Sequence, residues 1–190
     1  MLTHYHGQIV NYAEIGKSLQ LSDKTIRGYV DLLQNTFMIR VLMPWYENIG
    51  KRVVKRPKVY IRDAGILHYL MNIRDKKELM YHPKLGASWE GFAIEEIIKF
   101  FNIDREDCYF YSTHQGAECD LVIVKNNEKI GFEFKYTDHP KLTKSMRQTS
   151  HDLGLKHQYV VYPINKIFAL DKNITAVGLE DIFNRKINIF

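Results

Sequence analysis

Three charged residues interrupt two apolar runs near the middle of the chain. Asp120 comes directly before the run 121–124, and Glu133 and Lys135 lie within the run 130–136. A bare charge is costly to bury among apolar side chains unless it has a partner. Two carboxylates a few ångströms apart also repel each other unless a cation lies between them. The pattern therefore predicts a divalent-cation site with Asp120 and Glu133 as its ligands.

Mg²⁺ suits such a site, with Mn²⁺ as the alternative ion. It prefers hard oxygen ligands and is held by one or two carboxylates together with water and substrate phosphate. The Phe134 carbonyl could supply one more oxygen. Lys135 would orient or activate the attacking water, while the cation stabilises charge on the phosphoryl oxygens. The chemistry predicted is phosphodiester cleavage, with Asp120, Glu133 and Lys135 as catalytic residues.

A tight turn joins the two runs, and its register decides which side chains share a face. Asn126, Asn127 and Glu128 are typical of a β-hairpin. If Asn126 pairs with Lys129, Asp120 lies opposite Lys135. Alternation then places Asp120, Glu133 and Lys135 on one face of the sheet, and on the other Leu121, Ile123, Phe132 and Phe134.

The elements around the motif occur in a definite order. Periodicity predicts a helix at 86–102, strands at 107–113, 119–125 and 129–136, a helix at 141–153 and a strand at 157–163. With Asp120 and Glu133-Phe134-Lys135, this order resembles the core of the PD-(D/E)XK nuclease superfamily. The resemblance implies an α/β (α+β) fold with a restriction-endonuclease-like αβββαβ core. Cys119 departs from the motif, which has proline at that position.

The resemblance also implies a role for a glutamate on the first core helix. Glu90 matches that position, and the stripe Ile94, Ile97 and Phe101 would aim it toward the sheet. The alternative is that Ser88 caps the helix and Glu90 merely favours its positive N-terminus.

The first eighty residues predict a different module, a winged helix-turn-helix. Tyr12, Ile15 and Leu19 form the apolar face of a first helix, and Ser22 caps a second. The second helix should direct inward Ile26, Tyr29, Val30, Leu32 and Leu33. It should direct outward Lys24, Thr25 and Arg27.

A basic loop between two strand-like runs would form the wing. The second helix of such a module is the usual groove reader, and a basic wing contacts phosphates. The predicted DNA contacts in this loop are Lys51, Arg52, Lys55, Arg56 and Lys58. Asp23 and Asp31 dilute the charge of the second helix, so a winged helix used only for protein packing stays open as an alternative.

Charge is unevenly distributed along the chain. Residues 1–80 carry 13 Lys and Arg against 7 Asp and Glu, a net +6, whereas residues 81–190 carry 14 against 15, a net −1. A basic half attracts a polyanion, and carboxylates in the other half attract a cation. The division predicts DNA as a partner.

The run from Thr25 to Leu67, continued by WEGFAIEEI, GAECDLVI and FEFKY, resembles a domain of unknown function that follows the ATPase module in bacterial and archaeal AAA-type ATPases. The resemblance implies an ATPase module as partner within the same parent protein. No phosphate-binding loop of the Gly-x-x-x-x-Gly-Lys-Ser/Thr type occurs, because GKSLQLS lacks the upstream glycine. We therefore expect no ATP site here, and a chain that begins just after such a module.

Length and composition limit the size of the core, the domain boundaries and the cellular location. With 190 residues and 45% hydrophobic content, the chain can bury a substantial core. Charge, His-Pro and Gly between residues 71 and 86 predict a boundary, with domains at 1–80 and 81–190. The sequence shows no membrane-length apolar run and no signal-peptide core, so we expect a cytoplasmic protein without membrane contact.

The cysteines and histidines predict no metal site of their own. Cys108 and Cys119 should be buried free thiols, since two cysteines form neither a disulfide framework nor a zinc site. His4 and His6 lie near an end expected to be mobile, with surface or packing roles.

Three functions of different class remain open from the sequence. They are a magnesium-dependent deoxyribonuclease tethered to a winged helix, a non-catalytic DNA-binding module with a nuclease-like site, and a protein interaction platform for the ATPase. We favour the second function, a DNA-binding module, on the winged-helix and nuclease-like fold of the first. The residues do not predict an oligomeric state.

Overall fold

The computed structural model of the chain describes residues 1–46 and 53–190. Its helices are α1 (Tyr12–Leu19), α2 (Asp23–Asn35), α3 (Ala64–Leu70), α4 (Lys76–Tyr81), α5 (Leu85–Phe100), α6 (Lys144–Leu153) and α7 (Leu179–Phe183). Its strands are β1 (Gln8–Ile9), β2 (Ile39–Pro44), β3 (Lys58–Ile61), β4 (Cys108–Ser112), β5 (Glu118–Lys125), β6 (Glu128–Phe134), β7 (His157–Tyr162), β8 (Ile167–Asp171) and β9 (Ile174–Gly178).

The chain forms two compact units. The first comprises Met1–Met43 and Arg56–Phe92, and the second comprises Pro44–Lys55 and Ala93–Phe190. The division falls within α5, slightly beyond the predicted boundary region. It also assigns most of the predicted wing to the second unit. In the described parts of the chain, no helix is long and apolar enough to cross a membrane.

The first unit packs three helices against a small antiparallel sheet with strand order β1-β3-β2. A side-chain cap starts α2 as the sequence predicts, since Ser22 Oγ accepts a hydrogen bond from the Thr25 backbone N–H at 3.1 Å. The core consists of Val10, Tyr12, Ile15, Ile26, Val30, Ile39, Val59, Ile61 and Leu67.

Helix α2 buries a narrower stripe than the sequence predicts. Ile26 and Val30 are buried, and Leu33 packs partly against the core. Tyr29 and Leu32, predicted to face inward, are instead more than half exposed. Their inward placement is wrong, because the α2 side chains that pack into the core are Ile26, Val30 and, in part, Leu33. The helix therefore keeps an apolar flank in solvent.

His6 lies in the interior of the first unit rather than at a mobile end. Its Nε2–H donates to the Ala87 carbonyl at 3.0 Å, and its Nδ1 accepts from the Ile61 N–H at 3.0 Å. The ring also meets Tyr60 edge-on. Burial lowers the pKa of His6 from 6.5 to about 4. His6 is therefore a neutral packing residue whose two hydrogen bonds fix its ring.

Gly91 on α5 leaves the space that this ring occupies. A Cβ at position 91 would lie 2.6 Å from His6 Nε2, and the ring cannot move away without losing both hydrogen bonds. We expect Gly91→Ala to lower the free energy of unfolding of the first unit by about 1–3 kcal/mol.

Gly86 on the same helix supplies the matched control. A Cβ there meets nothing within 4 Å. Gly86→Ala should raise stability by about 0.5–1 kcal/mol, the usual gain from alanine in a helix. Urea denaturation followed by the fluorescence of Trp89, which lies in the first unit, compares the two variants. Equal stabilities for both would contradict this account of Gly91.

The second unit contains a six-stranded mixed sheet in the order β4-β5-β6-β7-β9-β8. Strands β4, β5 and β6 are antiparallel neighbours, β6 and β9 flank β7 in parallel, and β8 returns antiparallel. The predicted order of helix, three strands, helix and strand is confirmed by α5, β4, β5, β6, α6 and β7. The chain thus combines helices with a mixed sheet, as the predicted α/β class requires.

The hairpin of β5 and β6 closes one residue earlier than predicted, so each β5 residue pairs two positions earlier along β6. Asn126 and Asn127 both adopt positive φ angles, 52° and 63°, as a two-residue hairpin turn requires. Lys125 consequently pairs with Glu128, and Leu121 pairs with Phe132. The predicted pairing of Asn126 with Lys129 is therefore wrong.

Candidate metal site

A β-bulge in β5 positions Asp120. Tyr109 pairs with Val122 and Tyr111 pairs with Cys119, so β4 advances by two residues while β5 advances by three. The additional residue lies at Asp120 and Leu121. Bulges bend a strand and re-aim a side chain, and they are common beside active sites.

The Asp120 carboxylate connects β5 to β6. It is 5% exposed, and its Oδ2 accepts a hydrogen bond from the Phe134 backbone N–H at 3.0 Å. This bond attaches Asp120 to the strand that carries Glu133. The carboxylate therefore has a fixed place beside the end of β6.

Glu133 has an unusual environment for a carboxylate. It is buried, and its Oε1 contacts Lys135 Nζ at 2.7 Å. Its Oε2 is also buried and has no hydrogen-bond partner among the residues that the structure describes. The pKa of Glu133 is raised from 4.5 to about 8, mainly by burial and then by the Asp120 charge, while Lys135 opposes both effects. Glu133 is a buried acceptor that lacks a second partner.

The pairing of β6 with β7 shows which face of the sheet Glu133 occupies. Glu133 pairs in parallel with Val160, and Val160 packs against Met146 of α6. Phe132 and Phe134, adjacent to Glu133 in the strand, stack their rings on each other. Since strand side chains alternate, Glu133 points to the α6 side and the two phenylalanines point away. The predicted separation of Glu133 from these rings is confirmed.

Glu118 is a neighbour of the site that the sequence analysis did not select. Its charge adds to the repulsion that raises the pKa of Glu133. Helix α6 holds its backbone, because Ser145 Oγ accepts from the Glu118 N–H at 2.9 Å and Thr149 Oγ1 donates to its carbonyl. Its position in the sequence, two residues before Asp120, could have identified Glu118 as a site residue.

These groups fit a hard divalent cation. Asp120 and Glu133 offer carboxylate oxygens, and the unpartnered Glu133 Oε2 could accept an ion in place of a proton. In the described ranges, no group of three or more His, Cys, Asp or Glu side chains is arranged to share a metal ion. A cation would therefore rely on two carboxylates, with backbone or water oxygens completing its shell.

Glu90 lies in the first unit, on the part of α5 before Ala93. Its Oε1 accepts hydrogen bonds from the Tyr60 hydroxyl and from Lys58 Nζ, the latter at 3.4 Å. Both partners belong to β3 of the same unit. Its catalytic role stays a prediction.

The predicted nucleic-acid contacts on α2 are all exposed, but two of them have local partners. Arg27 Nε contacts Asp23 at 3.0 Å, and its guanidinium lies 4.5 Å from the centre of the Tyr12 ring. Thr25 bonds Ser22 at the start of the helix. Lys24 completes the predicted set on this helix.

The predicted wing is only partly available as a basic surface. Lys55 and Arg56 are exposed, whereas Lys58 is 4% exposed and pairs with Glu90. Lys51 and Arg52 lie outside the described residues.

The wing segment pairs with β4 inside the second unit. The Trp45 N–H donates to the Phe110 carbonyl at 2.7 Å, and the Val54 N–H donates to the Ser112 carbonyl at 3.0 Å. Val53 also forms an antiparallel bridge with Thr113. Trp45 near the start of the segment and Val54 near its end are thus both hydrogen-bonded to β4.

Comparison with known proteins places the chain in a family. A domain of unknown function, DUF4143, matches residues 85–182, about half of the chain, and the chain belongs to this family. A second domain of unknown function, DUF8612, matches residues 1–77.

Two curated relatives are uncharacterized proteins of Mycobacterium bovis and Mycobacterium tuberculosis. Each is 42% identical over 182 residues, which cover 96% of this chain and 41% of the relative. The chain thus spans about two fifths of the length of these relatives. No solved structure matches it.

Proposed function

We propose that the chain is a nucleic-acid-associated module whose second unit carries a divalent-cation site of the PD-(D/E)XK nuclease type. The observation that supports this most strongly is the buried Glu133 carboxylate: one of its oxygens has no hydrogen-bond partner among the described residues, and the Asp120 charge raises its pKa. Isolated buried carboxylates are unfavourable, and perturbed pKa values concentrate at functional sites. Asp120, Glu133 and Lys135 are the proposed site residues, and Mg²⁺ or Mn²⁺ is the proposed ion.

Each side chain has a distinct task in this proposal. A bound cation would supply Lewis-acid stabilisation of charge on a phosphodiester. The hydrogen bond from the Phe134 N–H holds the Asp120 carboxylate in place. Lys135 contacts Glu133 Oε1 with an ammonium group that is partly exposed, so it can orient a water or a phosphate oxygen that approaches from solvent. The buried surroundings strengthen these electrostatic interactions.

The proposal extends to the first unit as a DNA-binding winged helix. Two helices joined by a turn, then β2, a basic loop and β3, match that arrangement in order. Lys24 and Arg56 are exposed cations of this unit that support it, and the exposed Lys55 directly precedes Arg56 in the chain. Association with an AAA-type ATPase module and a cytoplasmic location belong to the same proposal.

A magnesium titration tests the cation site. Calorimetry with MgCl₂ or MnCl₂ should show binding to the wild-type chain, and Asp120→Asn should weaken it at least tenfold. Plasmid and single-stranded DNA cleavage run on the same preparation would show whether the site is active. The absence of both heat and cleavage would overturn the metal site.

The salt dependence of DNA binding tests the predicted wing in the same set of experiments. The logarithm of affinity falls with the logarithm of salt by about 0.9 per phosphate contact. The double variant Lys55→Gln/Arg56→Gln should therefore reduce the slope by about 1–2, if each cation contacts one phosphate. Lys76→Gln/Lys77→Gln removes the same charge from α4 and should leave the slope unchanged. Equal effects would contradict the proposed surface.

A protein interaction platform is the second candidate function, and the exposed apolar flank of α2 favours it. Tyr29 and Leu32 lie in solvent on the helix that would read DNA. Contiguous exposed apolar side chains mark protein contacts more often than nucleic-acid contacts. A chain that binds neither magnesium nor DNA would favour this function.

A further inference from the structure

An apolar groove opens on the surface of the first unit. It has a volume of about 490 Å³, and none of the side chains that line it is charged. Its walls come from residues 1–3, α1, α2, α3 and the strand region between them, and include Leu19, Tyr29, Leu33, Met38, Ile66 and Leu70. The groove lies wholly within the first unit. It is separate from the site around Glu133.

Large apolar side chains continue the groove into an exposed patch. Leu32 follows Tyr29 by three residues on α2, Phe37 precedes Met38, and Tyr69 precedes Leu70. These three neighbours are 58%, 75% and 81% exposed. We call the groove and these three side chains the apolar face. The same surface therefore offers both a recess and protruding side chains.

The area of the apolar face decides which occupant it suits. Met1, Leu19, Tyr29, Leu32, Phe37, Met38, Ile66, Tyr69 and Leu70 are each between 37% and 81% exposed. At about 150–250 Å² for a large side chain, they expose on the order of 900 Å² together. The largest apolar patch of an ordinary monomer is about 300–600 Å². A stable dimer of standard size buries about 800 Å² on each partner.

We propose that the apolar face is the two-fold interface between two copies of this chain. In a two-fold interface the same patch meets itself, so it must carry both protrusions and the recesses that receive them. The groove with Leu32, Phe37 and Tyr69 beside it meets that requirement. Burial of the face would remove the exposed aromatic rings from water, which is the main driving force of such interfaces.

The charged stripe of α2 stays outside this interface. Lys24, Arg27 and Asp31 follow one another at spacings of three and four residues, on the side of the helix away from Tyr29 and Leu32. A dimer formed through the apolar face therefore leaves these side chains in solvent. The inference does not depend on the proposed metal site, and each can fail alone.

Sedimentation velocity of the full chain between 1 and 100 µM tests the proposal. The wild-type protein should approach twice its monomer mass of 22.4 kDa as concentration rises. Tyr69→Glu places a charge at the centre of the apolar face and should raise the dissociation constant of the dimer at least tenfold. Tyr69 is 81% exposed, so the substitution removes little packing from the folded monomer.

Tyr81→Glu is the matched control. Tyr81 is 83% exposed on α4 and does not line the groove, so the same change of residue and charge should alter the dissociation constant less than twofold. If circular dichroism shows that Tyr69→Glu is unfolded, Leu32→Gln replaces it with the same expectation. A wild-type chain that stays monomeric at 100 µM overturns the dimer and leaves the groove to another partner. Equal weakening by Tyr69→Glu and Tyr81→Glu overturns it as well.

Discussion

Glu133→Gln will stabilise the second unit at alkaline pH, although it removes the ion pair of Glu133 with Lys135. The pKa of Glu133 is about 8 in the folded protein, against an ordinary value of 4.5. Below pH 4.5 the side chain is protonated in both states, and the folded protein bears no cost. Between pH 4.5 and 8 the unfolded chain loses this proton while the folded chain retains it, so stability falls as pH rises. Above pH 8 the full cost remains, on the order of 3–5 kcal/mol.

Glutamine occupies the same volume and carries no charge, so the variant should escape this loss. We expect its unfolding free energy to exceed that of the wild-type protein by several kcal/mol at pH 8.5 and to equal it near pH 4.5. Urea denaturation in a Trp89→Phe background measures the effect, because the remaining Trp45 lies in the second unit and packs against Tyr109.

Glu128→Gln is the control for this comparison. Glu128 lies at the start of the same strand and forms an exposed ion pair with Lys156 at 2.7 Å. Exposed ion pairs contribute about 0–1 kcal/mol. This variant should shift stability by less than about 1 kcal/mol at either pH. Parallel pH profiles for wild type and Glu133→Gln would show that Glu133 does not titrate as described.

Lys135→Met will separate cation binding from cleavage if the proposed site is active. Lys135 is the cation already in contact with Glu133 Oε1, so its removal takes away a competitor for the carboxylate. Magnesium affinity measured by calorimetry should therefore stay the same or increase. Cleavage should fall by about 10²–10⁴-fold, the range for loss of a positioned group that transfers or holds a proton.

Lys125→Met provides the comparison, since Lys125 is an exposed lysine in the same hairpin. It should leave both magnesium affinity and cleavage unchanged. A loss of magnesium binding in Lys135→Met would show that the lysine supports the fold of the site rather than its chemistry. Unchanged cleavage in that variant would remove Lys135 from the catalytic residues.

The sequence predicted the face of Glu133 more securely than the register of its strand. Closure at Lys125 and Glu128 shifts the partner of each β5 residue by two positions along β6, and a shift of two preserves the alternation of side chains. The periodicity of the sequence could not predict the bulge at Asp120 and Leu121, because the bulge depends on how β4 pairs with β5. Local pattern therefore located the carboxylates, and tertiary pairing set their geometry.

The first unit shows a different limit of sequence reasoning. Tyr29 and Leu32 fit an apolar helical stripe, yet the core takes only Ile26, Val30 and part of Leu33 from this helix. The burial of His6 was equally hidden, since its partners are the Ile61 N–H and the Ala87 carbonyl, distant along the chain. Burial at both places depends on which residues pack against these side chains, and a single sequence does not predict those contacts.

The passage of Pro44–Lys55 into the second unit has a consequence for biosynthesis. This segment leaves the ribosome before the rest of its own unit, and its partner strand β4 follows only about fifty residues later. The first unit, meanwhile, needs residues as far as Phe92. The segment therefore has no partner strand until β4 is synthesised, and the first unit is incomplete until Phe92 is added. A protein cut between residues 80 and 81 would separate Phe110 and Ser112 from the backbone groups of Trp45 and Val54 that bind them.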